Sequence, residues 1–227
     1  MNDKLIFDLG YYGGDSTLHY INEGYDIVGV DCNPQLEINR ETEKYMKRGR
    51  LTLERKCVSD TDNQQIVFYV QPNNIIWSSA NKEIAERYDK SERHKVKTIT
   101  LATLIGTYGT PIYCKIDIEG NEMLAIKSLS LIDDEKKPLY ICCKTECVGK
   151  GRRSVNINGL ENINALHELG YNKFFLKEQK DNYRFDINGK HEWKSYEEVI
   201  EELKKARSEH DFEQEPYMFL WDVYATF

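Results

Sequence analysis

The chain has 227 residues, 40% of them hydrophobic and 30% charged, the balance of a globular protein with a substantial core. Its formal net charge of −7 argues against general binding to nucleic-acid phosphates, and no apolar run approaches the ~18 residues of a membrane span. The first residues enter a strand pattern almost at once, leaving no room for a signal peptide, and six cysteines without a C-x-x-C pair read as buried thiols in a reducing cytoplasm.

In chain order, Leu5-Ile6-Phe7-Asp8-Leu9 is an apolar run carrying an acid. It turns through Gly10, Gly13 and Gly14 into a helix predicted over 15–24. Tyr25 to Asp31 is a second apolar run ending in an acid, and Asn33-Pro34 marks a turn into a helix over 35–48. Leu51 to Val58 and Gln65 to Val70 read as strands around a polar turn at 59–63, which predicts a hairpin. Pro72-Asn73-Asn74 breaks the pattern, Ile75 to Ala80 leads into a charged helical stretch over 80–90, and Val96 to Thr100 alternates as a strand.

Leu101 to Ile105 is a helical turn, and Pro111 to Asp117 is the clearest central strand, again ending in an acid. A helix through Leu124, Ile126 and Leu129 follows, then a buried strand over Pro138 to Cys143 with Glu146 beyond it. Lys150, Arg152 and Arg153 form a basic loop before a helix over 159–169. Asn172 to Leu176 is a strand, 177–195 is polar and irregular, and Ser195 with Glu198 gives the capping box of a helix reaching about Arg207. Tyr217 to Tyr224 is a last, aromatic strand. Strands alternate with helices nearly throughout, which predicts an α/β, doubly wound, mostly parallel sheet in one domain over 1–227.

The first strand, its glycine turn and the helix behind it form the nucleotide-binding start of an open α/β sheet. Asp31 stands where a ribose-binding carboxylate would sit. Asp117 ends a central strand, the edge at which sites of such sheets lie.

Three segments together resemble the FkbM-type S-adenosylmethionine-dependent methyltransferases. They are Asp8-Leu9-Gly10 with Gly14 and Thr17, Val30-Asp31 with Asn33-Pro34, and Lys115-Ile116-Asp117-Ile118-Glu119-Gly120-Asn121-Glu122. Supporting matches are Ser59-Asp60, Ser78-Ser79, Thr100-Leu101, Leu104 and Leu169-Gly170-Tyr171, so that the resemblance runs over about 4–224. It implies a Rossmann-like class I methyltransferase fold, a seven-stranded sheet with an antiparallel last strand, here with an extra hairpin insertion. It also implies methylation of a hydroxyl, often on a sugar or a secondary metabolite. Two positions depart from the pattern: Tyr12 stands where Asn is usual, and Ala102 replaces an acid.

On that resemblance, Asp8, Gly10, Tyr12, Gly14, Thr17, Asp31, Asp60 and Asp117 are the expected cofactor-binding residues, with Asp31 on the ribose hydroxyls and Asp60 on the adenine amino group. A hydroxyl is a poor nucleophile, so a base or a metal should remove its proton. Asp117 is the first candidate base, with Glu119, Glu146 and His191 as further catalytic candidates, and Asp117 with Glu146 as an alternative site for Mg²⁺ or Mn²⁺. Trp77, Ser78, Ser79, Arg152 and Trp193 are expected on the small-molecule or glycan acceptor. Alternatives are a non-sugar acceptor, a nicotinamide-dependent oxidoreductase and an inactive cofactor-binding module. The glycine spacing Gly10-x-x-Gly13-Gly14 departs from the dinucleotide pattern G-x-G-x-x-G.

Overall fold

The computed structural model describes residues 1–87, 89–148, 154–156, 158–179, 184–210 and 219–227, with the backbone alone for 146–148, 154–156 and 219–220. Strand β1 (Asn2–Leu9) lies at the centre. Its alternation buries Leu5, Phe7 and Leu9 on one face and Ile6 on the other, so both faces are covered. It pairs in parallel with β2 (Asp26–Val30) on one side and β7 (Pro111–Ile116) on the other. Beyond β2 lies β3 (Leu51–Glu54) and beyond β7 lies β8 (Tyr140–Val148), both parallel. β11 (Phe219–Thr226) then runs antiparallel to both β8 and the edge strand β10 (Lys173–Glu178). The order is β10-β11-β8-β7-β1-β2-β3, with the short β9 (Ser154–Asn156) pairing β8 off this path. The mostly parallel seven-stranded path and its antiparallel last strand are as the sequence predicts.

One face carries Leu101 and Leu104 of α4 (Leu101–Tyr108), Ile126 of α5 (Glu122–Ser128), Ile163 and Leu166 of α6 (Gly159–Glu168), and Val199 and Leu203 of α7 (Tyr196–Glu209). The other carries Tyr20 and Ile21 of α1 (Asp15–Asn22) and the buried Phe185. The capping box of α7 forms as read, with Ser195 accepting from Glu198 N and Glu198 accepting from Ser195 N. Among the described residues no helix is long and apolar enough to cross a membrane.

The hairpin forms from different strands than the sequence predicts. Leu51–Glu54 continues the main sheet beside β2, and Cys57–Val58 is a separate short strand, β4. The antiparallel partners are β5 (Gln65–Val70) and β6 (Glu92–Ile99), and β4 joins β6 to complete a second, three-stranded sheet. A period-two pattern marks a strand but does not name its neighbour, and the nearest strand in sequence is only the default partner. Two helices are also shorter than their charge patterns suggest: α2 covers Arg40–Lys47, and α3 only Lys82–Ala85.

The chain leaves β1 toward β2 and β3, then returns to build β7 and β8 on the other side, so a crevice opens between the C-terminal ends of β1 and β7. The two ends touch there. Asp117 N donates to Leu9 O at 2.9 Å, and a Cβ on Gly10 (φ +89°) would lie 1.8 Å from the Asp117 carbonyl oxygen. Neither contact partner is a flexible side chain, so the position admits only glycine. Gly10→Ala is expected to cost at least about 2 kcal/mol, read as a urea midpoint lowered by ~1 M. A midpoint equal to the wild type's would refute this close approach.

Candidate active site

The loop after β1 is held by the strand beside it. Gly10 N and Tyr11 N both donate to Val30 O, at 2.9 and 3.2 Å. Tyr12 N donates to Asp31 Oδ2 at 2.9 Å, and Asn33 N donates to Asp31 Oδ1 at 2.8 Å. Each Asp31 oxygen therefore accepts one backbone N–H and keeps a second lone pair for a ligand hydroxyl. Burial raises the Asp31 carboxyl above its ordinary value, against the two backbone donors that favour the anion.

The two tyrosines of this loop have opposite roles. Tyr12 adopts φ +44° and is 44% exposed, whereas Tyr11 is buried and its hydroxyl pairs with Thr42 Oγ1 at 2.8 Å. The Tyr11 ring occupies the space in which a Cβ on Gly14 or Gly29 would lie, at 2.5 Å from its hydroxyl and 2.7 Å from its ring respectively. Sequence reading singled out Tyr12, the exposed neighbour; the wedge is Tyr11.

Across the crevice four charged side chains form a belt on the Ile6 face of the sheet. Asp8 and Lys115 are register partners on β1 and β7, as are Lys144 and Asp222 on β8 and β11. Asp8 is buried, accepts from Thr17 Oγ1 at 2.8 Å and lies 3.5 Å from Lys115 Nζ. Asp117 caps the row, with Lys144 Nζ at 2.6 Å on one oxygen and Lys115 Nζ at 3.4 Å on the other. Burial opposes the Asp117 charge, but Lys144 and Lys115 outweigh it and hold this carboxyl well below the carboxylate range. Burial also opposes the Lys115 charge, and Asp117 and Asp8 more than offset it, keeping the ammonium protonated.

Glu119, at φ +52°, joins the belt through Lys144 Nζ at 2.8 Å. Its other oxygen lies 3.7 Å from Arg87, whose guanidinium sits 4.9 Å over the Trp77 ring. The Ser79 hydroxyl donates to the Glu119 carbonyl at 2.7 Å and fixes this strained turn. Glu122 is buried beneath it, accepting from Gly120 N at 3.0 Å and Ile118 N at 3.1 Å. Burial pushes its carboxyl up to about 7, against those donors.

A cavity of about 460 Å³ opens between these walls, within the range of small-ligand sites. Asp8, Gly10, Tyr12, Gly14, Asp31 and Asp117 line it, and so do Glu119, Trp77 and Ser78. A Cβ on Gly13 would meet nothing within 4 Å, so the backbone there is open to a ligand. Thr17 and Ser79 stand one layer behind, bonded to Asp8 and Glu119. Lys115, Lys144, Arg87 and Gln179 also line the cavity and were missed as site residues. The available signal was a lysine inside each of two otherwise apolar strand runs.

Several expected site residues lie elsewhere. Asp60 is exposed, accepts from Thr61 Oγ1 at 3.1 Å and does not line the cavity. Its neighbour Asp62 instead secures the start of α4, accepting from Thr100 N at 2.8 Å and Thr103 Oγ1 at 2.6 Å. His191 and Trp193 pack in a ring cluster: His191 stacks on Phe185 at 4.5 Å, and Trp193 on Tyr140 at 6.1 Å. Neither lines the cavity, since ring stacking holds both away from it. Arg152 and the Glu146 side chain lie outside the described residues.

Asp117 stands where the base was expected, but both its oxygens face ammonium groups, which suits charge positioning rather than proton capture. The same two cations occupy the place a divalent ion would need, so Asp117 does not fit the role of a metal ligand. Among the described residues no group of three or more His, Cys, Asp or Glu side chains is placed to hold a metal.

Removing the central cation tests the belt. In the wild type the depressed Asp117 carboxyl contributes stability that is present above its ordinary value of 3.8 and lost as pH falls through its folded value. Lys144→Met leaves Asp117 and Glu119 half-compensated and is expected to cost about 3 kcal/mol at pH 7. Protonation relieves the variant, so its deficit in chemical denaturation should shrink as pH falls from neutral toward 4. A deficit independent of pH would refute the belt's role in stability.

Residues 8–142, more than half of the chain, match the methyltransferase FkbM domain. No curated protein matches. Among solved structures, a precorrin-6y C5,15-methyltransferase from Geobacter metallireducens is 12% identical, covered over 100% of this chain and 82% of that one, with a TM-score of 0.44. A phosphoethanolamine N-methyltransferase 2 from Haemonchus contortus, in complex with S-adenosyl-L-methionine, is 10% identical over 99% of this chain, with a TM-score of 0.44. This chain spans only 48% of that protein. A SAM-dependent methyltransferase from Archaeoglobus fulgidus is 12% identical over 100% of this chain and 87% of its own, with a TM-score of 0.42. The glycine loop, Asp31 and the Asp117 turn all fall inside the matched region, and the chain belongs to the FkbM-domain family of S-adenosylmethionine-dependent methyltransferases, with a class I methyltransferase fold.

Proposed function

We propose that the protein transfers a methyl group from S-adenosylmethionine to a hydroxyl oxygen of a small acceptor, most simply a sugar hydroxyl of a glycan or glycoconjugate. The observation carrying this reading is one cavity with a diol-accepting carboxylate, Asp31, at one wall and the Asp8–Lys115–Asp117–Lys144 belt at another. Methyltransferase membership replaces the nicotinamide-dependent alternative.

The residues fit the cofactor. Asp31 keeps a lone pair on each oxygen for the ribose hydroxyls, and the loop from Gly10 to Gly14 offers main chain to the ligand. Val58 and Phe68 add apolar wall for a base. Bound here, S-adenosylmethionine supplies a methyl carbon made electrophilic by its sulfonium. The chain's contribution is then to orient, exclude water and handle the proton of the acceptor. Trp77, its ring covered by Arg87, offers an aromatic face for the apolar side of a sugar ring. Such an enzyme works as one methyltransferase domain over 1–227 in the cytoplasm, in keeping with five free thiols at Cys32, Cys57, Cys114, Cys142 and Cys143.

Calorimetry with S-adenosylhomocysteine tests the cofactor half: Asp31→Ala should weaken binding by about a hundredfold, the loss of two charge-assisted hydrogen bonds. No binding to the wild type would sink the reading. Labelled S-adenosylmethionine offered with a glycan panel, followed by NMR of the product, tests the acceptor half. The expected product carries a new O-methyl group; methylation on nitrogen or carbon would overturn it.

A further inference from the structure

Beside the cofactor cavity lies a smaller one of about 150 Å³. The two share Ser16, Lys115, Asp117 and Gln179, so they are neighbours across the charged belt. The smaller one adds Asp222 and the rings of Tyr20, Tyr113, Phe185 and Tyr224. Its volume is far below the ~300 Å³ at which ordinary ligand pockets begin, so it takes a single ring-sized group and not a second cofactor. Tyrosine rings with hydroxyl tips, set beside a carboxyl, match a group with C–H faces and O–H edges.

We infer that this smaller cavity is the acceptor subsite, taking a hydroxyl-bearing ring no larger than a monosaccharide, and that Asp222 accepts the proton of the hydroxyl that is methylated. The inference rests on the hydroxyl-methylation reading above. Two carboxyls border the shared wall, and they are unequal. Asp117 is clamped by Lys144 and Lys115. Asp222 takes a hydrogen bond of 2.6 Å from Gln179, and its register partner is Lys144.

Burial and the Asp117 charge push the Asp222 carboxyl up to about 6, while Lys144, the Gln179 bond and Lys115 work the other way. Around it also stand Lys177 and Glu178 of β10, Arg184, and Cys142 of β8. Two acids in one site with affinities driven apart are a division of labour, the higher one being the better proton acceptor near neutral pH. The step balances as follows: the acceptor oxygen bonds to the methyl carbon, the C–S pair stays on sulfur as a neutral thioether, and the hydroxyl proton passes to an Asp222 oxygen.

The test uses the full chain, labelled S-adenosylmethionine and methyl glycosides of common hexoses as acceptor probes. Asp222→Asn should bind S-adenosylhomocysteine within about threefold of the wild type, which also shows that it folds, yet transfer methyl at least ~100-fold more slowly. In the wild type kcat/KM should rise with pH through about 6 as Asp222 ionises, and that limb should vanish in the variant. Gln179→Ala removes a hydrogen bond that favours the anion, so its limb should move to higher pH, a shift that a merely structural Asp222 would not produce. Glycoside methylation by Asp222→Asn within about threefold of the wild type, or an unmoved limb in Gln179→Ala, overturns the assignment of Asp222 and leaves the sugar reading standing. A wild type that binds S-adenosylhomocysteine but methylates none of the glycosides sinks the sugar reading and the subsite with it.

Discussion

The constraint on which the rest of this structure depends is the need to keep Lys115 and Lys144 charged inside a sheet. Each sits in a strand among buried, mostly apolar or thiol neighbours, and each is compensated by carboxylates from neighbouring strands and turns. Such an arrangement is expensive to desolvate and contributes little net stability against an apolar replacement. Its return is position. Asp8 stands opposite Lys115 and Lys144 opposite Asp222, two register pairs offset by two residues because Lys115 faces Cys142, and Asp117 joins them through both lysines. A slip of any one of these strands would leave a buried charge without its partner. The belt thus fixes strand register and the chemistry of the crevice at the same time.

Local chemistry in the sequence was sufficient for the elements that build this crevice. A glycine after Asp8-Leu9 lets the chain turn with a positive φ, and the observed approach of Gly10 to the Asp117 carbonyl shows why only glycine serves there. Asp31 and Asp117 were legible for the same reason: each ends a parallel strand at the edge where such sheets open. What sequence could not give was partnership. Leu51–Glu54 and Gln65–Val70 both alternate, yet one joins the main sheet and the other the insertion, a choice made by tertiary contacts. The same limit applies to side chains. Asp60 and Asp62 sit two residues apart in one polar turn, and only the fold decides that Asp62 reaches α4 while Asp60 faces water.

His191 and Trp193 illustrate the opposite error. An irregular polar stretch with a histidine and a tryptophan invites a functional reading, but the rings of Tyr140 on β8, Phe175 on β10 and Phe185 hold both side chains by stacking and edge contacts. Lys144 was overlooked for the complementary reason, since a lone lysine after two cysteines resembles a strand end. Alternation with Cys142 placed it on the inward face all along.

The Ser79 hydroxyl bond to the Glu119 carbonyl ties two parts of the molecule that are otherwise built independently. Ser79 bridges Tyr69 on β5, and Glu119 holds Lys144. The small outer sheet is therefore a brace for the charged belt as well as a wall of the cavity. Arg93 of β6 lies opposite Tyr69, the residue that bridges Ser79, so β6, β5 and the Ser79 turn are linked in one ladder. Any change in the length of the turn at Ser78 and Ser79 is transmitted through one strained residue, Glu119, to the cation at the heart of the site.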